Sequence, residues 1–149
     1  MRKPILTTPI RYPGGKSKAV KKLYPMLPNI GEYEEWREPF LGGGSMSIEI
    51  TKRFPDMKIW VNDLYPALYT FWTSVQSDGE EMSEKLMQMK SECYTSEEAK
   101  AMLGVQKEII NDDVSSKFDK AVAWYFANRN SFSGLTETGT YSDQANKMS

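Results

Sequence analysis

Histidine is absent from all 149 residues, and Cys93 is the only cysteine. Without histidine there is no Ser-His-Asp or Cys-His catalysis, no HExxH zinc hydrolysis and no zinc-dependent base deamination. One cysteine excludes an intramolecular disulfide and a Cys-clustered zinc site. Chemistry is thereby confined to carboxylates, lysines, aromatic rings, backbone groups or a bound cofactor, and no metal is expected. Long apolar runs are missing too: none approaches the roughly 20 residues that span a bilayer, and no signal-peptide pattern follows Met1. The expectation is a cytoplasmic, soluble protein with no membrane partner. Internal repeats and low-complexity linkers are also lacking.

What is present argues for a core. Hydrophobic residues make up 40% and aromatics 12% of the chain, too much for a disordered polypeptide. A chain of this length suits one domain that buries about 70% of its unfolded surface. The net charge of -1 suggests nothing about nucleic acid, but its distribution does. Every charged side chain through residue 22 is basic, namely Arg2, Lys3, Arg11, Lys16, Lys18, Lys21 and Lys22, while acids predominate from Glu80 to Asp113. The basic stretch is either a surface for phosphates or a solvated helix face.

Along the chain, residues 8–15 read as a loop punctuated by Pro and Gly, followed by a helix over 16–27 with Val20, Leu23 and Leu27 on one side. Pro25 and Pro28 make its last turn irregular. Residues 33–40 form a first strand running into Gly42, Gly43 and Gly44. Helical spacing resumes at Met46, Ile48 and Ile50 and closes at Pro55. Residues 57–61 form a second strand that delivers Asn62 and Asp63 at its end. Pro66 opens a helix carrying Leu68, Phe71, Trp72 and Val75. Further helices span 80–93, 95–111 and 115–129, the second opening with a Thr95…Glu98 capping box and the last carrying Phe118, Val122 and Tyr125 on one face. Trp36, Trp60, Trp72 and Trp124 sit in apolar-periodic segments and are expected in the core. From Ser131 onward the chain is polar, without apolar period. This order predicts an α/β domain with a parallel sheet and an appended helical segment. The expected divisions are 1–78 for the α/β portion, 79–130 for the helical segment and 131–149 for a flexible polar tail.

The strongest local signal is Glu38-Pro39-Phe40-Leu41-Gly42-Gly43-Gly44-Ser45. A strand that ends in consecutive glycines before a helix lets backbone approach a ligand, with the helix N-terminus open to an anion. Asp63, at the end of the next strand, stands where a ribose-binding carboxylate sits in a nucleotide-binding βαβ unit. Ser47 occupies the third glycine position of the dinucleotide fingerprint, so the match is partial. A structural glycine turn, with Asp63 capping the turn before Pro66, is the competing reading. Arg11-Tyr12-Pro13-Gly14-Gly15-Lys16-Ser17 ends like a phosphate-binding P-loop, but Ile10 stands where that pattern requires glycine and no strand leads into it.

Taken together, Arg-Tyr-Pro-Gly-Gly-Lys, Glu-Pro-Phe-Leu-Gly-Gly-Gly-Ser and Val61-Asn62-Asp63-Leu64 resemble the Dam-like DNA adenine methyltransferases. The stretch from Tyr125 to Leu135, with Asn128-Arg129 and Gly134-Leu135, is similar to the Asn-Arg…Gly-Leu segment at the entrance to that family's DNA-recognition region. The resemblance covers nearly the whole chain and is weakest between about residues 80 and 115. It implies an incomplete, Rossmann-like methyltransferase sheet and S-adenosylmethionine as cofactor. The Tyr12 ring would lie against the ligand and the Lys16 ammonium near the methionine carboxylate. Glu38 with Gly42 and Gly44 would shape the methionine and sugar end, and Asp63 would accept hydrogen bonds from the ribose hydroxyls. Phe40 would line the site or pack in the core. Leu64 and Tyr65 would flank the adenine or, like most such residues after a strand, pack inside. Arg11, Asn128 and Arg129 would approach double-stranded DNA, although Arg129 also suits a helix C-terminus through its dipole.

One part of the family pattern is missing. Such enzymes carry a downstream Asp-Pro-Pro-Tyr motif that holds the amine of a flipped adenine, and no Pro-Pro pair occurs in these 149 residues. The chain alone is therefore expected to be inactive. It would be a fragment or truncated frame, one half of a split enzyme completed by a downstream polypeptide, or a silent module that binds cofactor or DNA. A nicotinamide-dependent oxidoreductase is the unrelated alternative, resting on the glycine turn and Asp63.

Overall fold

Residues 7–142 are described by a computed structural model. Arg2, Lys3 and positions 143–149 of the expected polar tail lie outside the described residues. The chain divides into two compact units, Met1–Leu64 and Tyr65–Ser149. The division follows Leu64, earlier than the spacing around residue 78 suggested, because the helix that starts at Pro66 packs with the later helices.

In the first unit, Pro13 and Gly14 make the turn their sequence dictates. Gly14 takes a φ of 73° and the Gly15 N–H donates to the Tyr12 carbonyl at 2.8 Å, the type II pattern of Pro then Gly. The helix expected over 16–27 is shorter: α1 is Val20–Leu23, continued by one 3-10 turn at Tyr24–Met26. No side chain caps its start, and Pro25 removes a donor from its end. Strand β1, Glu35–Glu38, pairs in parallel with β2, Lys58–Val61. Between them runs α2, Ser45–Arg53, whose Met46 and Ile50 are buried. Lys52 and Arg53 close its last turn and both reach Glu49, a favourable placement at a helix C-terminus.

The register sets which residues face α2. Trp36 pairs with Ile59 and Glu38 with Val61, and the Trp36 indole N–H donates to Ser47 of α2 at 3.0 Å, so this set forms the covered face. Period two then turns Arg37 and Trp60 to the opposite face. Trp60 is consequently 50% exposed, which corrects its assignment to the core.

The second unit is helical. The helix expected from Pro66 and the one expected over 80–93 join as α3, Pro66–Ser91, with one non-helical residue, Asp78, at φ -134° and ψ 28°. There the Ser77 hydroxyl lies against both the Thr73 carbonyl and the Asp78 carboxylate, the local competition that bends helices. Helix α4, Ser96–Asn111, opens with the expected Thr95/Glu98 capping box. Helix α5, Lys117–Asn130, is capped by Ser116. Its centre is buried: Trp124 is 2% exposed and meets Phe71 of α3 at 5.1 Å between ring centres, while Tyr125 stacks on the same Phe71 at 5.5 Å.

The polar stretch after α5 is more ordered than its composition suggests. A 3-10 turn spans Phe132–Gly134, Ser131 bridges Tyr141, and the Lys107 ammonium donates to the Gly139 carbonyl at 2.6 Å. A segment without apolar period is here held by hydrogen bonds, which periodicity does not register.

Phe71 touches three aromatic rings and is 1% exposed. Phe71→Ala is expected to cost about 3–5 kcal/mol of unfolding free energy, read from urea denaturation. Tyr69→Ala on the same helix, half exposed, is expected to stay within about 0.5 kcal/mol. Equal losses for the two would contradict this placement of the core.

Candidate functional site

The site grows from the C-terminal ends of the two strands. The ladder continues past them: the Asn62 N–H donates to the Glu38 carbonyl at 3.0 Å, and the Leu41 N–H donates to the Asn62 carbonyl at 2.9 Å. This pins the stretch leading to the glycine turn against the residue preceding Asp63. The turn itself needs left-handed backbone, with φ of 52° at Gly42 and 68° at Gly44, conformations that glycine adopts without steric cost. The Gly42 N–H donates to Asp63 Oδ2 at 2.8 Å. Asp63 thus fastens the turn in addition to anything it offers a ligand.

Tyr12 closes the other wall. A Cβ built on Gly42 would lie 3.0 Å from the Tyr12 ring, and one on Gly43 would lie 3.3 Å from the Tyr12 Cβ. A Cβ on Gly15 would meet the Tyr12 carbonyl oxygen at 2.8 Å. Glycine at these positions is therefore a condition for Tyr12 to sit against the turn. Ser17 and Ser45 hydroxyls, 3.1 Å apart, link the loop after Lys16 to the start of α2.

A cavity of about 220 Å³ results, lined by Tyr12, Lys16, Glu38, Phe40, Gly42, Gly44 and Asp63 among others. Seven of the residues singled out for a cofactor in the sequence thus face one cavity. Leu64 does not line it and is 86% exposed, and Phe40 is 76% exposed at the rim. Neither side chain is core. Tyr65 is engaged within the helical unit, its hydroxyl donating to Glu137 at 2.7 Å.

Burial, and secondarily the Asp63 charge, push the Tyr12 phenol above its ordinary value. Both act the same way, because a phenolate is disfavoured by lost water and by a neighbouring anion. At neutral pH the cavity therefore combines a neutral aromatic ring, one lysine and two carboxyl side chains.

In the second unit, Asn128 is 1% exposed and its amide donates to the Gly134 carbonyl at 3.1 Å. This side chain holds the loop after α5 and is not presented at the surface, contrary to the expectation of a DNA contact. Arg129 and Arg11 are half-buried. Among the described residues no group of three His, Cys, Asp or Glu is placed to hold a metal, and no helix is long and apolar enough to cross a membrane. Ser47, in the sequence only a departure from a glycine fingerprint, reaches this site through Glu38, a contact that spacing alone does not signal.

Comparison with known proteins agrees with the motifs. Residues 12–148 match the model of the D12 class N6 adenine-specific DNA methyltransferases. The chain is also 25% identical, over 135 residues, to the Type II methyltransferase M.MjaIII of Methanocaldococcus jannaschii. That alignment covers 85% of this chain and 46% of the relative, so the chain spans about half the length of the curated protein it matches. The chain belongs to the D12 class N6 adenine-specific DNA methyltransferase family.

The Tyr12–Asp63 proximity gives a titration test. Asp63→Asn keeps an oxygen for the Gly42 N–H but removes the charge, so the Tyr12 pKa is expected to fall while remaining above the free phenol value through burial. Carbon NMR of the Tyr12 Cζ against pH reads this directly. An unchanged midpoint would mean that Asp63 does not act on the ring.

Proposed function

We propose that this chain forms the cofactor-binding portion of a DNA adenine methyltransferase, an incomplete Rossmann-like sheet that holds S-adenosylmethionine at the glycine turn. The observation that carries the reading is the convergence of Tyr12, Lys16, Glu38 and Asp63 on one cavity beside the glycine turn. The donor set fits such a ligand: an ammonium for its carboxylate, carboxylates for its ammonium and ribose diol, and a neutral ring for a flat apolar face. Bound there, the cofactor would supply an electrophilic methyl to an amine nucleophile.

The residues divide the work. Lys16 acts as a point charge toward the amino-acid carboxylate. Glu38 accepts from the amino-acid ammonium. Asp63, already fastened to the turn, accepts from the ribose hydroxyls. Tyr12 and Phe40 shield the ligand from water. Double-stranded DNA is the proposed substrate, with Arg11 and Arg129 as the basic contacts and Asn128 ordering the adjoining loop. No Pro-Pro pair occurs in these 149 residues, so in this reading the chain alone does not orient an adenine for transfer. A further polypeptide would supply that group.

Calorimetry with S-adenosylhomocysteine tests the cofactor assignment. Asp63→Ala is expected to lose about 1.5–3 kcal/mol of binding, since a charge-assisted acceptor is removed. Equal affinity for the wild type and Asp63→Ala would reject Asp63 as a ribose ligand.

A labelled methyl-transfer assay on adenine-containing duplex tests the division of labour. The purified chain is expected to give no turnover, and addition of a polypeptide carrying the missing motif is expected to restore it. Turnover by the chain alone would show that the catalytic group lies within these residues.

A further inference from the structure

The side of Glu38 turned to α2 is held in a way the reading above does not use. Trp36 and Glu38, two residues apart on β1, point to the same face, and Ser47 of the first helical turns stands over both. Ser47 is 6% exposed. Its backbone N–H donates to Glu38 Oε2 at 3.1 Å and its hydroxyl lies 2.5 Å from the same oxygen. The Trp36 indole N–H donates to the Ser47 hydroxyl oxygen at 3.0 Å.

These contacts fix a direction. An indole N–H can only donate, so the Ser47 oxygen is the acceptor from Trp36 and its proton is turned to Glu38. Both donors converge on Oε2, which leaves Oε1 as the oxygen available to a cationic group in the cavity that Glu38 lines. Replacing Ser47 by a glycine, as the dinucleotide fingerprint has it, would keep the backbone donor but lose the oriented hydroxyl. The carboxylate would then rotate about its last torsion, a broad and weakly restrained one.

We propose that Ser47, oriented by Trp36, is a positioning residue that sets the Glu38 carboxylate to receive the ammonium of the ligand's amino-acid end. The proposal rests on the cofactor reading above and adds a specificity: Ser47 matters for ligands that carry the amino-acid group and not for those that lack it. Two probes separate these, S-adenosylhomocysteine, which has the group, and methylthioadenosine, which keeps the nucleoside and sulfur only.

Binding of both probes is measured calorimetrically on the full chain, with thermal melting as a check on folding. Ser47→Ala is expected to weaken S-adenosylhomocysteine about tenfold and to leave methylthioadenosine within about twofold, a difference equivalent to one oriented hydrogen bond to a charged group. Ser47→Thr, which restores the hydroxyl, is expected to recover affinity. Trp36→Phe, which removes only the upstream donor, is expected to show a smaller loss of the same kind, and it serves where Ser47→Ala does not fold. Adding Glu38→Gln to Ser47→Ala is expected to cost much less than the sum of the single losses, because the two act through one contact. Equal weakening of both probes, or of neither, overturns the positioning role while leaving the cofactor reading intact. Failure of the wild type to bind either probe removes the cofactor reading, and the proposal with it.

Discussion

The hydrogen bond from the Gly42 N–H to Asp63 Oδ2 is the contact on which the site's geometry depends. It crosses from the end of one strand to the end of the other, and it stands just beyond the ladder that joins Glu38, Asn62 and Leu41. A turn with two left-handed glycines has little intrinsic preference for one shape, because glycine loses more conformational freedom on ordering than any other residue. A charged acceptor fixed to the neighbouring strand offsets that cost locally. Tyr12 can then rest on the turn, since the absence of Cβ atoms at Gly42 and Gly43 leaves room for its ring. The same carboxylate adds to burial in raising the Tyr12 pKa, so the ring is neutral at neutral pH.

The helical unit solves a different problem by different means. Its core is an aromatic cluster centred on Phe71 and Trp124 that joins α3 to α5, with Ala99 and Leu103 of α4 also buried. The polar loop that follows is tied to this core by Asn128 from α5 and Lys107 from α4. Burying Asn128 is tolerable because its amide is engaged. An asparagine in that position adds order to the loop backbone, whereas an exposed one would be free to meet a partner.

Much of this was legible in the sequence. The strand, glycine turn, helix and strand order follows from punctuation by Gly and Pro and from short apolar runs, and the α4 capping box was visible as Thr95 and Glu98. Membership of a family was legible because several motifs recur in order and spacing. What escaped has physical causes. Trp60 reads as core by hydrophobicity, but two strands with one covering helix leave the far face bare, and period two decides which tryptophan lands there. Phe40 and Leu64 follow strand ends, where side chains are no longer bound to the pleat, and both are exposed. Asn128 sits in a motif whose neighbours suggest a surface, yet the turn of α5 points it inward. The order of residues 131–142 rests on backbone and side-chain hydrogen bonds that leave no periodic trace.

Ser47 shows how one departure from a pattern carries information that the pattern hides. A third glycine in a nucleotide-binding turn allows close helix–strand packing. Serine here leaves α2 on the sheet, with Met46 and Ile50 still buried, and places a hydroxyl between an indole and a carboxylate. A buried hydroxyl without partners would cost on the order of 1–3 kcal/mol. With Trp36 donating and Glu38 accepting, both halves of its capacity are used. The strand therefore supplies, two residues apart, the donor and the acceptor that make a serine acceptable at that depth. A tryptophan at position 36 thus belongs to the same local solution as the carboxylate at position 38, although only the second lines the cavity.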